Sequence, residues 1–285
     1  MIKLSKKLEF KKNQKHVELL FGACWHIGQP SVDYDGIRTF IKKAKKNPWY
    51  HLGDLIEAII PSDTRRFNIS EHKSSILEQM EYAEDLMKPA ASTCLGVCTG
   101  NHENTISKQF GNVTKDLATS IGIPFLGMCA FNRLVCPDGN CDVYVAHGSK
   151  TFGGVAGDIE RIKLNRQIKL RNANKKMIAD IISVAHAHTS VITAPSYKMR
   201  LGYTPEKVKL IPVAVEKAWY SSCPAMFKTY VEGNEEGSYG ELAQFEASDI
   251  GFHSAIIERD GSVPKMRQYG SDGKVIEEYT PNIIR

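Results

Sequence analysis

Five apolar segments of this 285-residue sequence each lead directly into side chains of the kinds that bind metal ions or phosphate groups. The five sets are Cys24-Trp25-His26, Gly53-Asp54, Gly100-Asn101-His102-Glu103, His147-Gly148 and His186-Ala187-His188. Open α/β sheets carry their functional sites beyond the carboxyl ends of the strands. If the five apolar segments are neighbouring strands, the five loops therefore converge on one site.

The types of side chain in these loops favour a transition-metal centre. Imidazole, carboxylate and amide oxygen ligands suit Mn, Fe, Zn or Ni better than Ca or Mg. One carboxylate can bridge two ions, and two ions about 3.5–4 Å apart can clamp a phosphate and provide a hydroxide nucleophile. A single histidine after a strand is usually structural. Five of the nine histidines lie in these loops, however, which would require five coincidences.

The segments that must position these loops have the pattern of an α/β protein, in which apolar strands alternate with amphipathic helices. The predicted strands are Val17 to Ala23, Trp49 to Leu52, Thr93 to Cys98, Phe131 to Val135, Asp142 to Ala146 and Ile181 to Ala185. Predicted helices follow the caps Asp35, Ser70 and Asp158, and a shorter one covers Thr114 to Ile121. The second of these helices is expected to direct five side chains toward the core: Ile76, Leu77, Met80, Ala83 and Met87. After His188 the pattern changes to short strands and turns, which predict an antiparallel sheet that completes the same domain.

Composition is that of an ordinary globular protein, with 42% hydrophobic and 24% charged residues and a formal net charge of +5. This mild positive charge permits an anionic substrate without identifying one. A membrane-spanning helix needs about 20 apolar residues, and the sequence contains no apolar run of that length. No apolar stretch of signal-peptide type follows the lysine-rich N-terminus. We therefore expect a cytoplasmic protein without a membrane partner. The seven cysteines form no disulfide framework and are expected to be thiols, although Cys136 and Cys141 could face each other across a hairpin turn.

The order and spacing of the five motifs resemble the calcineurin-like metallophosphoesterase family. That family has Asp-x-His, Gly-Asp, Gly-Asn-His-Glu, a single His and Gly-His-x-His in this order, and the resemblance extends from Val17 to His188. Gly-Asn-His-Glu is the most specific of these motifs. The stretch from Tyr230 to Gly251 also looks like the tails of phosphoesterases from phages and prophages.

The resemblance implies an α/β fold of four layers, with two mixed β-sheets flanked by helices. It implies a single domain over residues 1–285, with a core at about 17–260, and two divalent transition-metal ions as cofactors. One ion would be held by Cys24, His26, Asp54 and His188, and the other by Asp54, Asn101, His147 and His186. Asp54 would bridge the ions, His102 would act as general acid or stabilise the leaving oxygen, and Glu103 would orient His102.

Two residues depart from the family pattern. Ala185 replaces a glycine, which is a mild change. Cys24 replaces an aspartate that would be a direct metal ligand. A thiolate binds Zn or Fe, so Cys24 either preserves the first site in altered form or packs as a small apolar residue and leaves that site weak.

Two groups of cations are candidates for contact with phosphate. Arg65 and Arg66 follow the Gly-Asp loop, and arginine forks match phosphate oxygens. The helix after Asp158 carries a cluster of basic residues: Arg161, Lys163, Arg166, Lys169, Arg171, Lys175 and Lys176. For both groups, a solvated surface is the more ordinary interpretation.

Three functions remain open at this stage. The first is metal-dependent hydrolysis of a phosphomonoester or phosphodiester by a metal-bound hydroxide. The second is a nuclease that acts on DNA or RNA with the same centre, in contact with the basic helix. The third is a scaffold or binding protein with a weakened site, for which Cys24 is the only argument. The oligomeric state is not predicted.

Overall fold

The computed structural model describes residues 2–59, 75–152, 158–204, 207–233, 241 and 246–281. Its strands, in chain order, are β1 (Ile2–Lys7), β2 (His16–Gly22), β3 (Trp49–His51), β4 (Cys94–Val97), β5 (Cys129–Val135), β6 (Asn140–Ala146), β7 (Ile181–Val184), β8 (Val191–Thr193), β9 (Ser196–Thr204), β10 (Lys207–Glu216), β11 (Trp219–Ser222), β12 (Phe252–Glu258), β13 (Lys265–Tyr269) and β14 (Val275–Tyr279). The α-helices are α1 (Tyr34–Ala44), α2 (Ile76–Met87), α3 (Asn101–Phe110), α4 (Val113–Ser120) and α5 (Ile159–Asn174), and a 3₁₀-helix covers Lys88–Thr93. Arg65, Arg66 and Ser70 lie outside the described residues.

Two six-stranded sheets form the centre of the fold. The first sheet has the strand order β1-β5-β6-β7-β11-β8, and the second has the order β14-β13-β12-β2-β3-β4. Both are mixed: β6 is parallel to β7 and antiparallel to β5, while β2 is parallel to β3 and antiparallel to β12. β9 and β10 form a separate two-stranded antiparallel sheet.

Successive side chains in the strands of the first sheet point to opposite faces, so the sheet contributes to two separate apolar clusters. Val143 and Val145 of β6 belong to the main core between the sheets, whereas Tyr144 and Ala146 belong to a second cluster on the opposite face. Leu170 of α5 is buried in that second cluster. Because successive side chains of a strand point to opposite faces, one sheet can bury both of its surfaces.

The second sheet is covered on its outer side by α1 and α2. Phe40 of α1 is fully buried, with its ring centroid 5.6 Å from that of Trp49 in β3 and 5.2 Å from that of Phe252 in β12. The layers are therefore α5, the first sheet, the second sheet, and α1 with α2. This confirms the predicted α/β class with two mixed sheets flanked by helices.

The helix starts differ from those predicted. Asp33 rather than Asp35 caps α1 and accepts a hydrogen bond from the Gly36 amide at 2.9 Å, while Asp35 pairs with Arg38 on the surface. Ser75 caps α2.

The predicted inner face of α2 is wrong at Leu77, which is 72% exposed. The buried residues of α2 are Gln79, Ala83 and Met87, spaced by four, and Leu77 precedes Gln79 by about 200° of helix rotation.

The tail of the chain contributes to both sheets. β11 and β8 join the first sheet, while β12 pairs antiparallel with β2 and continues into β13 and β14. β1, at the other end of the chain, pairs in parallel with β5. All seven cysteines are free thiols, Cys136 and Cys141 included. Among the described residues, no helix is long and apolar enough to cross a membrane.

Replacing Phe40 by alanine is expected to lower the free energy of unfolding by about 3–5 kcal/mol, because a buried aromatic side chain leaves a cavity. Urea denaturation followed by circular dichroism measures this. Lys42→Ala, on the exposed side of the same helix, is the control and should change stability by less than about 0.5 kcal/mol. Equal stability of the two variants would contradict the packing of α1 on the second sheet.

Candidate metal centre

The five sequence motifs meet where the carboxyl ends of two groups of parallel strands face each other. β2, β3 and β4 are parallel neighbours in the second sheet and lead to the Cys24, Asp54 and Asn101 loops. β6 and β7 are parallel neighbours in the first sheet and lead to His147 and His186. The convergence that the sequence predicts is therefore present.

Four of the candidate ligands form a first cluster. The ligand atoms of Cys24, His26, Asp54 and His188 all lie within 4.8 Å of one another. The Nε2 atoms of His26 and His188 are 3.3 Å apart, and His26 Nε2 is 3.8 Å from Asp54 Oδ2. These are the four positions that the family resemblance implies for one ion.

A second cluster shares Asp54 with the first. Asp54, His147 and His186 again place their ligand atoms within 4.8 Å of one another. Asn101 Oδ1 lies 2.9 Å from His147 Nε2 and 2.7 Å from His186 Nδ1, and His147 Nε2 is 3.1 Å from Asp54 Oδ2. Asp54 is thus the one side chain common to these two clusters.

The backbone of the cluster residues is in a conformation that side chains rarely adopt. Six described non-glycine residues have positive φ, and five of them are candidate ligands: Cys24, His26, Asp54, His186 and His188, at φ values of 50°, 50°, 51°, 71° and 51°. Such conformations are uncommon outside glycine and persist where the surroundings enforce them, typically at functional sites. The strain therefore supports a functional role for these loops.

Main-chain hydrogen bonds hold the strained loops against one another. The Cys24 amide donates to Gly53 O at 2.9 Å, and the His26 amide donates to Asp54 O at 3.1 Å. On the other side, the Asp249 amide donates to His188 O at 2.9 Å and the Asp249 carboxylate accepts from the Ser190 amide at 2.7 Å. The loops of both clusters are consequently tied to the framework beneath them.

Gly100 allows the start of α3 to approach Asp54 closely. A Cβ atom at Gly100 would lie 2.1 Å from both the amide nitrogen and Oδ1 of Asp54. The same approach lets the His102 amide, in the first turn of α3, donate to Asp54 Oδ1 at 3.0 Å. Amides at a helix N-terminus stabilise a carboxylate, so α3 helps to keep Asp54 ionised.

Electrostatics at the centre are dominated by Asp54. Burial opposes its ionisation, but His147, His102 and His26 outweigh burial and hold the pKa of its carboxyl well below the ordinary value. In return, Asp54 overcomes the effect of burial on His147 and raises the pKa of that imidazole. Burial lowers the pKa of His186 and of His188, which favours neutral imidazoles with a lone pair for a metal.

Cys24 is fully buried in the first cluster. Burial, reinforced by the nearby Asp54 carboxylate, raises the pKa of its thiol well above the usual value. A metal bound there would have to displace the thiol proton, because the thiolate is the ligand form. The position of the sulfur, together with two imidazoles and a carboxylate, fits Zn or Fe.

Glu57 is a site residue that the sequence analysis missed. Its Oε2 lies 2.7 Å from His26 Nδ1 and 3.6 Å from His102 Nδ1, and its carbonyl oxygen lies 2.6 Å from His102 Nδ1. With Nδ1 of His26 donating to Glu57, Nε2 is directed at the first cluster, an arrangement found around many metal-binding imidazoles. In the sequence, only its place three residues after Asp54 could have suggested that Glu57 belongs to the site.

Glu103 has a different position from the one that the resemblance implies. Its Oε1 accepts from the amides of Leu55 and Ile56, and its Oε2 accepts from Gly100 N at 2.8 Å. Glu103 therefore fixes the loop that follows Asp54 and caps α3, while Glu57 contacts His102. Burial, with the nearby Asp54 charge, raises the pKa of Glu103.

Phe227 is a second residue without a sequence motif to mark it. Its ring centroid lies 4.7 Å from that of His26 and 4.8 Å from that of His188, in edge-on contacts, and it is only 8% exposed. Such contacts restrict the rotation of both imidazoles.

Several of the cations proposed from the sequence to contact phosphate already have partners within the protein. In α5, Arg166 pairs with Glu246 at 2.7 Å, and Arg171 donates to Ala194 O at 3.0 Å. Lys163 pairs with Glu160 on the helix surface at 3.3 Å. Arg65 and Arg66 fall in a stretch of chain that the structure leaves undescribed.

Comparisons with known proteins add a similarity of fold. No family model matches the sequence, and no curated protein matches it. Solved structures similar to it include the phosphoesterase Yfce from E. coli, with 9% identity, a TM-score of 0.44 and coverage of 93% of this chain and 99% of that one. A Vps29 double mutant from Entamoeba histolytica has 10% identity, a TM-score of 0.40 and coverage of 93% and 99%. A metallophosphoesterase from Sphaerobacter thermophilus has 11% identity, a TM-score of 0.37 and coverage of 92% and 88%. These three TM-scores lie below 0.5, so the function is inferred from the side chains of this chain.

Replacing Glu57 by alanine is expected to weaken metal binding at the first cluster by about 10–100-fold, because His26 loses the carboxylate that orients it. Titration calorimetry with Zn²⁺ measures the affinity. Glu81→Ala removes an exposed glutamate of α2 and should leave it unchanged. Identical affinities in the two variants would show that Glu57 does not support a metal ligand.

Proposed function

We propose that this chain hydrolyses a phosphoester with two divalent transition-metal ions held at the two clusters. The observation that carries the proposal is the carboxylate of Asp54, which belongs to both clusters and has a histidine on either side. A scaffold role gains little support from the structure, because the ligand atoms of the described motifs come together around Asp54.

Each ion would have a distinct set of ligands. The first would be held by Cys24, His26, Asp54 and His188, and the second by Asp54, Asn101, His147 and His186. When bound, a pair of such ions neutralises charge on the phosphoryl group and lowers the pKa of water so that a nucleophile is available near neutral pH.

His102 is proposed as the residue that serves the leaving oxygen. Its ring lies beside that of His26, at 4.6 Å between centroids, and its side chain is 12% exposed, so it borders both the centre and solvent. Its Nδ1 lies 2.6 Å from the carbonyl oxygen of Glu57, and this contact fixes the orientation of the ring. In this position the ring is proposed to deliver a proton to the leaving oxygen as a general acid.

The substrate is proposed only as a phosphomonoester or phosphodiester. Nucleic acid as a substrate has less support, because Arg166 and Arg171 of α5 are engaged within the fold.

Loss of Asp54 or His102 should have different consequences. Asp54→Asn is expected to abolish hydrolysis of bis-p-nitrophenyl phosphate and to reduce bound metal. His102→Ala is expected to lower turnover about 10²–10⁴-fold with metal content retained, because its role is in proton transfer. Turnover with Mn²⁺ or Zn²⁺ and elemental analysis measure the two effects. His16→Ala, an exposed histidine, is the control. Wild-type rates in both site variants would refute the proposed centre.

Cys24→Asp should restore the ligand set of the family. A thiolate is softer than a carboxylate and offers one donor atom, so the natural first cluster is expected to prefer Zn or Fe and to hold Mn less well than the second. The substitution should raise Mn content and Mn-dependent turnover. Cys24→Ser is the matched variant, since it removes the sulfur without supplying a carboxylate. Equal Mn occupancy of both clusters before substitution, with no gain afterwards, would contradict this account.

A further inference from the structure

The β9–β10 hairpin has two faces of opposite character. The pairs Tyr203–Val208, Leu201–Leu210, Met199–Pro212 and Tyr197–Ala214 lie directly opposite one another, so they share one face, which is entirely apolar. The other face carries four exposed cations, Lys198, Arg200, Lys207 and Lys209, together with the less exposed Ile211 and Val213. The eight residues of the first set are called the apolar face below.

The apolar face is exposed to solvent. Tyr203 is 81% exposed, Leu201 72%, Leu210 65% and Val208 63%. Both ends of the hairpin continue into strands of the first sheet, β8 and β11, yet the hairpin itself forms a sheet of only two strands. A two-stranded hairpin is marginally stable in water unless one of its faces is covered.

A cleft lies at the base of the hairpin. It has a volume of about 760 Å³ and is lined by residues that include Tyr197, Pro195, Ile192, Arg171 and Tyr279. Tyr197 belongs to the apolar face, so the cleft adjoins the base of that face, and its lining also includes the polar side chains of Gln167 and Glu278. The exposed pair Tyr203 and Val208 therefore lies at one end of the apolar face, and the cleft lies beside the other end.

We infer that a second copy of this chain covers the apolar face in a twofold-symmetric dimer. A twofold axis that lies between the two faces and crosses the strands at the level of the Arg200–Ile211 pair places Tyr203 of each hairpin over Tyr197 of the other. Tyr203 of one copy then approaches the cleft beside Tyr197 of its partner, and the four cations of each hairpin point away from the interface. The face is thus complementary to itself, as a twofold interface requires.

The area is of the right order for such a dimer. A specific interface removes about 800 Å² from water per partner. An aromatic side chain contributes about 150–250 Å². With Tyr203 81% exposed and Leu201, Leu210 and Val208 between 63% and 72% exposed, the apolar face reaches the same order of magnitude. A membrane surface is a poorer occupant, because both edges of a two-stranded sheet carry unpaired backbone groups that are costly to place in lipid.

The decisive variant converts the central pair of the apolar face into an ion pair. Leu201→Lys combined with Leu210→Glu places opposite charges directly across the hairpin, which supports the hairpin while removing its apolar centre. Sedimentation velocity on the full chain should show a concentration-dependent dimer for the natural protein. The double variant should raise the dimer dissociation constant by at least about tenfold, which is 1.4 kcal/mol.

Ile211→Glu is the matched control, because Ile211 lies opposite Arg200 on the cationic face of the same hairpin. It should leave dimerisation unchanged, and both variants should retain the metal content of the natural protein. A natural protein that stays monomeric at all attainable concentrations would overturn the inference. Equal weakening by both variants, or cosedimentation of the monomer with anionic vesicles through Leu201 and Leu210, would overturn it as well.

Discussion

A single buried carboxylate, that of Asp54, is the constraint on which the rest of the centre depends. It is 1% exposed and would be costly to ionise in isolation. It stays ionised because His147 from the first sheet, His26 from the second and the N-terminus of α3 all face it. The two sheets must pack with their strand ends aligned for these groups to meet. The packing of the two sheets therefore determines which side chains surround Asp54.

Strain in the ligand loops follows from the same requirement. The candidate ligands lie on short loops after β2, β3 and β7. Five of these ligands adopt a left-handed backbone conformation, which brings their side chains together around Asp54. Glu103 accepts from three backbone amides beneath the Asp54 loop, and Asp249 secures the backbone at His188 and Ser190. Fully buried His253 adds contacts of 2.8 Å to both Ser190 and Ser221. A rigid framework of this kind holds ligands in place before a metal arrives, which lowers the entropic cost of binding it.

The sequence was sufficient for the parts of the protein that repeat a local pattern. Apolar strands, the loops at their carboxyl ends and the hairpin of β5 and β6 could be predicted because strand periodicity and turn residues are local signals. The sequence did not determine the cap of α1, because Asp33 and Asp35 offer the same chemistry two residues apart. The start of α3 was missed although Glu103, three residues after Gly100, marks a helix N-terminus. Glu57 and Phe227 could not be assigned to the site in this way, because their importance arises from contacts across the fold. The two faces of the β9–β10 hairpin likewise depend on a register that the sequence alone does not reveal.

The most direct test of the central claim is anomalous scattering from crystals of the protein grown with Zn²⁺ and, separately, with Mn²⁺. The account predicts two peaks, one on each side of Asp54, with the peak beside Cys24 stronger for Zn²⁺ than for Mn²⁺. A structure in which neither ion produces a peak within ligand distance of Asp54 would contradict it.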